Sequence, residues 1–368
     1  MRSVFLKSAL VLTVVLSWSG VPAAGRASVD NGVGPTFKAI GPLAFSPDGV
    51  LFAGDTQSAA ILALDLGKAA TGGAPGAASI PAFDQKVAAL LGTDVREVTV
   101  TDLVVHPKTR NAFASVMRGQ GNNAQPALLR IDGAGKIDVV AFGDIKFSRV
   151  ELPNAPAANP SDTRNARTQS ITDMAFVDGK LYVAGLSNEE FSSKLRSVSY
   201  PFAAVDNGTS VEIYHGAHGR FETRAPVRTL VPITVGSEPY VLAAYTCTPL
   251  VQFPVKQLQP GAKIRGKTIA ELGNQNRPLD MIVYEKDGKD YLLLANSSRG
   301  VMKIPTDSIE KADDIQEPVR GGGHKGLPFE TVEKWTGVQH LDKLDAQNAL
   351  VLRKGDGNAL TLEALALP

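Results

Sequence analysis

The sequence predicts an all-β chain folded as a single β-propeller of six four-stranded blades, with seven as the alternative count. Three observations carry this. A hairpin unit recurs along the chain. A content of 35 Gly and 23 Pro punctuates short strands with turns. A single cysteine, Cys247, rules out an internal disulfide, so core burial must hold the fold; a hydrophobic content of 43% is enough for it.

The clearest copies of the unit are Pro42 to Gly54, Asp173 to Gly185 and Asp280 to Ala295. Each has two apolar runs joined by Asp-Gly, which supplies the positive φ of a tight hairpin. Fainter copies begin at Asp102, Thr229 and Val338. Third strands follow at Ala60–Leu64, Leu128–Ile131, Pro249–Phe253, Gly300–Ile304 and Leu360–Leu365, with outer strands at Ile137–Phe142, Val211–His215 and Thr268–Leu272. The last blade runs out of chain after three strands. The segment Thr36–Ile40 is therefore expected to supply its outer strand, so that the N-terminal strand closes the ring and no sheet edge stays open.

Two insertions interrupt the repeat, at residues 69–92 and 154–169. The first is Gly/Ala-rich and leads into a short helix expected over Asp84–Leu91, with Val87, Leu90 and Leu91 on one face. The second is a polar loop rich in Asn, Pro, Asp and Arg.

Residues 1–27 read as an export signal: Arg2 and Lys7 precede an apolar run, Ala9 to Leu16, and small residues follow, with cleavage expected after Ala23 or Ala27. The apolar run is shorter than the roughly 20 residues a bilayer span needs. Residues 28–368 then form the propeller, placed in the periplasm or secreted, with no membrane span after signal removal. The charge balance, 38 basic against 37 acidic residues, gives no concentrated basic surface of the kind nucleic acid demands. The partners expected are a small molecule or a periplasmic protein.

In a propeller the start of each inner strand and the turn between second and third strands converge on one face. The inner-strand starts give Asp102, Asp173 and Asp280, with Pro42 and Thr229 in two other blades and Val338 or Gln339 in the last. Carboxylates gathered near one axis repel unless a cation compensates them, and an oxygen-rich set suits Ca²⁺ or another divalent ion. The competing role is local: turn aspartates accept backbone N–H bonds. The second-to-third-strand turns offer Arg118, Asn122, Asn188, Glu189, Cys247 and Arg299 as polar groups for a small ligand. His215-Gly216-Ala217-His218 has a spacing that could hold a transition metal, at the rim of the fold. Cys247 reads as a soft ligand or as a small buried hydrophobe. Gly-x-Ser-x-Gly and a phosphate-binding glycine loop are absent.

The turns Phe45-Ser46-Pro47-Asp48-Gly49 and Val105-His106-Pro107 resemble those of the NHL, gluconolactonase-like and periplasmic surface-layer propellers, over most of residues 36–368. The resemblance implies the fold. The gluconolactonase-like group implies an acidic metal ligand in the first blade, where this chain has Pro42. A quinone-dependent sugar dehydrogenase implies a basic cluster and a channel histidine, and His106 lies late on its strand. Three functions follow as expectations: a binding or scaffold propeller, a divalent-metal-dependent hydrolase or lactonase using the three aspartates, and an accessory subunit of a periplasmic redox system.

Overall fold

A computed structural model describes residues 25–29, 34–76, 78–159 and 165–368; the signal segment up to residue 24 and residues 160–164 of the polar insertion lie outside them. Six sheets stand around one axis as the blades of a propeller, antiparallel except where Lys263–Arg265 pairs in parallel with Thr209–His215. The inner strands are Ile40–Phe45, Val98–Val105, Asp173–Val177, Val227–Val235, Pro278–Lys286 and Val338–Lys343 in chain order, and they define blades one to six. The helix of the first insertion spans Phe83–Leu91. Its Phe83, Val87 and Ala88 are buried, whereas Leu90 faces solvent.

Strands form where apolar, β-branched runs alternate with turn residues, and the second strand of each blade carries a run of at least four buried residues. Six apolar clusters fill the gaps between neighbouring blades, and they reveal a spatial order that differs from the chain order. Blade one packs on blade two through Leu43, Leu62, Phe113 and Leu128. Blade one also packs on blade three, through Phe52, Val150, Met174 and Leu181. Blade two packs on blade six, through Leu103, Ala114, Leu350 and Leu352. The order around the axis is therefore two, one, three, four, five, six.

The interleaving comes from one strand. The chain lays down three strands of blade one, builds all of blade two, and returns with Lys146–Glu151, which pairs along the whole of Ala60–Asp65 as the fourth strand of blade one. Gly25–Val29 adds outside it.

This order overturns the expected ring closure. Thr36–Ile40 does not pair with the last strand; Ile40 opens the inner strand of blade one, and Phe37 packs on Phe142. Blade one is not a neighbour of blade six, so its leading segment has no route to that edge. The outer side of Leu360–Ala366 is met instead by Ile80, whose N–H and C=O both bond Leu362, and Asp84 Oδ1 accepts from Leu360 N. The insertion thus covers the exposed edge of a three-stranded blade.

If the insertion closes the ring, Phe83→Ala empties a fully buried site between blades two and six and is expected to cost about 3–5 kcal/mol. Phe37→Ala, at a half-buried site, should cost less than half of that. Urea melts of the two variants check this, and the reverse ranking would return closure to the N-terminal segment.

Candidate functional site

One position of each inner strand is equivalent around the ring, as the cross-blade bonds to the residue after it show. These are Pro42, Asp102, Asp173, Thr229, Asp280 and His340, each followed by Leu or Met. In four blades a one-residue register shift immediately precedes this position, between Val100 and Asp102, Val227 and Thr229, Pro278 and Asp280, and Val338 and His340. A β-bulge re-aims the residue that follows it, and of these four Asp102 and Asp280 line the channel cavity. In the spatial order the level reads Asp102, Pro42, Asp173, Thr229, Asp280, His340. The three aspartates therefore alternate around the ring.

Each aspartate is held by two backbone amides. Asp102 accepts from Leu103 N at 2.8 Å and from Leu43 N of the next blade at 2.6 Å. Asp173 accepts from Met174 N at 2.7 Å and Leu230 N at 2.6 Å. Asp280 accepts from Met281 N at 2.8 Å and Leu341 N at 2.9 Å. Two positions further into the fold Asp342 repeats the motif on Lys343 N and on Val105 N of blade two, at 2.7 Å each. All four links run the same way around the ring.

The local capping expected of turn aspartates is present, and it reaches across blades. One amide on each oxygen still leaves lone pairs toward the channel, because a carboxylate offers about four acceptor sites. His340 Nδ1 lies 3.7 Å from Asp102 Oδ1 and 3.9 Å from Asp280 Oδ2. One ligand atom from each of Asp102, Asp280 and His340 falls within 4.8 Å of the others. Asp173 stands apart from that trio but acts on both carboxylates through its charge.

Burial, then the charge of Asp173, pushes Asp102 well above the usual carboxylate range; burial, then Asp102 and Asp173, does the same to Asp280. Burial raises Asp173 and Asp342 to about 6 each. Burial lowers His340 to about 4, so its imidazole is neutral at pH 7 with a lone pair available. Among the described residues, Asp102, Asp173 and Asp280 have no lysine or arginine ion pair.

A cavity of about 450 Å³ opens at this level, lined by Asp102, Asp173 and Asp280 and by Leu43, Met174, Leu230, Met281 and Leu341, with Asp342, Lys343, Arg110, Phe45 and Phe176 also on its wall. Sequence reasoning offered Val338 or Gln339 for blade six; the register shift moves the position to His340. The signal was present in the apolar residue that follows every member of the level, which in blade six is Leu341.

None of the six turn residues expected to bind a ligand lines this cavity. Arg118 donates to Gly92 O at the end of the helical insertion. Asn122 shares that turn, and its side chain lies outside what is described. Asn188 N bonds Asn154 O, and Glu189 takes Lys194 at 2.6 Å and Asn154 at 2.8 Å, so both fasten the polar insertion. Arg299 donates to Asn274 O between blades four and five. Cys247 stands beside His215 and His218 on the face where the inner strands begin.

No protein-family model matches the chain, and no curated protein matches it. Solved propellers resemble it weakly. The PQQ-bound aldose sugar dehydrogenase of Streptomyces coelicolor is 12% identical, over 94% of this chain and 100% of that one, with a TM-score of 0.35. The apo form of the soluble aldose sugar dehydrogenase of Escherichia coli is 11% identical, over 93% and 100%, with a TM-score of 0.34. A gluconolactonase-type protein is 9% identical, over 94% of each chain, with a TM-score of 0.33. The likeness is confined to architecture.

The raised carboxyls predict a defined pH response. A carboxyl whose folded value lies above its unfolded one stabilises fully below about 3.8, and that contribution is lost as pH rises through the folded value, about 6 for Asp173. Asn does not titrate. In chelator, the penalty of Asp173→Asn is therefore expected to be larger at pH 5 than at pH 7.5, by about 1 kcal/mol. Paired denaturant melts at the two pH values measure it; an equal penalty at both would show that Asp173 is an ordinary ionised carboxylate.

Proposed function

We propose that the chain is an exported binding propeller whose channel holds one divalent cation and, through it, a small polar ligand. The observation that supports this best is the convergence of Asp102, Asp280 and the neutral imidazole of His340, with Asp173 nearby and, among the described residues, no lysine or arginine paired to any of the three carboxylates. Like charges this close must share protons or a cation. The donor set fits an ion. Two carboxylates suit hard cations, and an imidazole nitrogen shifts the preference from Ca²⁺ toward Mn²⁺ or Zn²⁺. The cavity, apolar along Leu43, Met174, Leu230, Met281 and Leu341 and also lined by Arg110 and Lys343, would take the body of a ligand whose polar end meets the ion, in the manner of ordinary small-molecule pockets.

One observation favours a second reading. Asp173 lies outside the cation trio, and burial raises it to about 6, where a carboxyl can exchange protons near neutral pH. With a metal-polarised carbonyl beside it, that carboxylate would serve as the base of a hydrolase or lactonase.

Mn²⁺ separates these ideas. Chelator-treated protein is expected to bind one Mn²⁺ by equilibrium dialysis, with its melting temperature raised in proportion. Asp280→Asn and His340→Gln should each abolish both effects. Ca²⁺ should bind more weakly than Mn²⁺. No uptake of Mn²⁺ or Ca²⁺ by folded protein would end the cation reading. Mn²⁺-dependent lactone hydrolysis lost in Asp173→Asn, with Mn²⁺ binding retained, would promote the enzyme over the binding module.

The export reading supplies its own test. Gly25–Val29 is built into the outer edge of blade one, and a Cβ on Gly25 would lie 1.9 Å from Glu151 O. Cleavage after Ala27 would remove part of this strand, whereas cleavage after Ala23 spares it. N-terminal sequencing of exported protein is expected to begin at Ala24. A chain beginning at Ser28, or one retaining Met1, would contradict this.

A further inference from the structure

The face where the inner strands begin carries a second donor cluster that the channel does not use. His215 ends the strand Thr209–His215 of blade three, and a tight turn brings His218 back beside it. Cys247 sits in the turn between the second and third strands of blade four. One ring nitrogen from each histidine and the cysteine sulfur lie within 4.8 Å of one another. The two imidazole centroids are 3.8 Å apart.

Two observations point to a ligand. First, a single carboxylate orients both rings: Glu222 Oε2 lies 2.9 Å from His215 Nδ1, and Oε1 lies 2.7 Å from His218 Nδ1. A carboxylate behind Nδ1 is the usual support of an imidazole that binds metal through its other nitrogen. Second, the side chain of His215 is 3% exposed, and its Nε2 has no hydrogen-bond partner. Buried polar atoms are nearly always satisfied, so an orphan nitrogen beside a second imidazole and a thiol calls for an occupant.

The surroundings hold the donors in place. The Glu271 carboxylate accepts Gly216 N beneath the turn, and a Cβ on Gly216 would meet that carboxylate at 2.8 Å. Cys247 N is bound to Asn276 O at 2.7 Å. His218, with 44% of its side chain exposed, leaves the cluster open to solvent.

We propose that His215, His218 and Cys247 bind one borderline-soft transition-metal ion, Zn²⁺ or Cu⁺, through two Nε2 atoms and the thiolate. Soft thiolate with imidazole selects such ions over Ca²⁺ and Mg²⁺. Binding releases the thiol proton to solvent. Three protein ligands leave one coordination position for water or an exogenous ligand, the pattern of an exchangeable rather than a closed structural site.

Co²⁺ reads this site and not the channel, because only Cys247 can give a thiolate-to-cobalt band. Full-length, chelator-treated, reduced protein is expected to take up Co²⁺ with a 1:1 near-ultraviolet thiolate band and strong visible tetrahedral bands, bleached by one equivalent of Zn²⁺. Cys247→Ser should lose the thiolate band. His218→Ala, at an exposed position where folding is not at stake, should weaken Co²⁺ binding at least tenfold. Glu222→Gln should weaken it roughly 10–100-fold while keeping the band. Asp280→Asn should leave the band unchanged, so loss of the channel cation would not disturb this result. A folded wild type with no 1:1 band, or a band indifferent to His218→Ala, overturns the proposal.

Discussion

The structure depends on a carboxylate shared between two strands. An inner-strand aspartate that accepts its own next amide and an amide of the neighbouring blade satisfies two backbone donors at the place where the sheets splay apart. Inner strands of a propeller lack a ladder partner on the axial side, so such amides otherwise have only water to bond. Each carboxyl thus ties two adjacent blades together, and four such links run in one rotational sense. The same arrangement creates the chemistry of the channel. Tying carboxylates to the inner strands brings like charges to one axis, and burial then raises them. The stabilising device and the candidate site are the same atoms.

How much of this was legible follows from the range of each interaction. The hairpins were legible because they are local: Asp178-Gly179 and Asp287-Gly288 fix their turns within four residues, and all four carry positive φ. The inner-strand aspartates were legible as a repeated position. Ring closure was not, because it rests on a bond between Ile80 and Leu362 and on a helix packed between blades two and six. Nothing in the neighbourhood of either residue announces the other. The interleaved order hid for the same reason. Lys146–Glu151 mixes charged residues with Phe147 and Val150, and the sequence carries no mark that it belongs to a blade whose third strand ended some eighty residues earlier. His340 was missed for a local reason: an extra residue in the strand moves the axial position by one, and periodicity alone does not register a bulge.

Blade three shows where pattern reading fails for a different cause. Its third strand, Ser193–Ser199, carries only Leu195 and Val198 as apolar residues, three apart, so it has no period-two pattern to mark it as a strand. Both Lys194 and Arg196 are buried on it. Lys194 is neutralised by Glu189 and accepted by Ser210 Oγ at 2.9 Å. Arg196, lowered to about 10 by burial, reaches toward Pro153 O. Buried cations are costly unless paired, so their retention here points to what they hold: Glu189 and Asn154 tie the strand to the polar insertion. Arg167, near the other end of that insertion, donates to Gln57 O and Ser58 O of blade one. The loop that interrupts the repeat is thereby bonded to both blades it joins.

His215, His218 and Cys247 were each visible in the sequence, one pair as a spacing and the third as a lone residue that reads equally well as a hydrophobe. What joins them is the twist between adjacent blades, which brings the end of one outer strand against the second turn of the next. Arg228, at the start of the inner strand of blade four, donates to Thr246 Oγ1 at 3.0 Å and anchors the turn that carries Cys247. Convergence of this kind depends on neither residue's local sequence, only on the blades being rigid neighbours. A propeller thus makes donor clusters at two kinds of place, on the axis by repetition and between blades by adjacency. Only the first leaves a periodic trace in the chain.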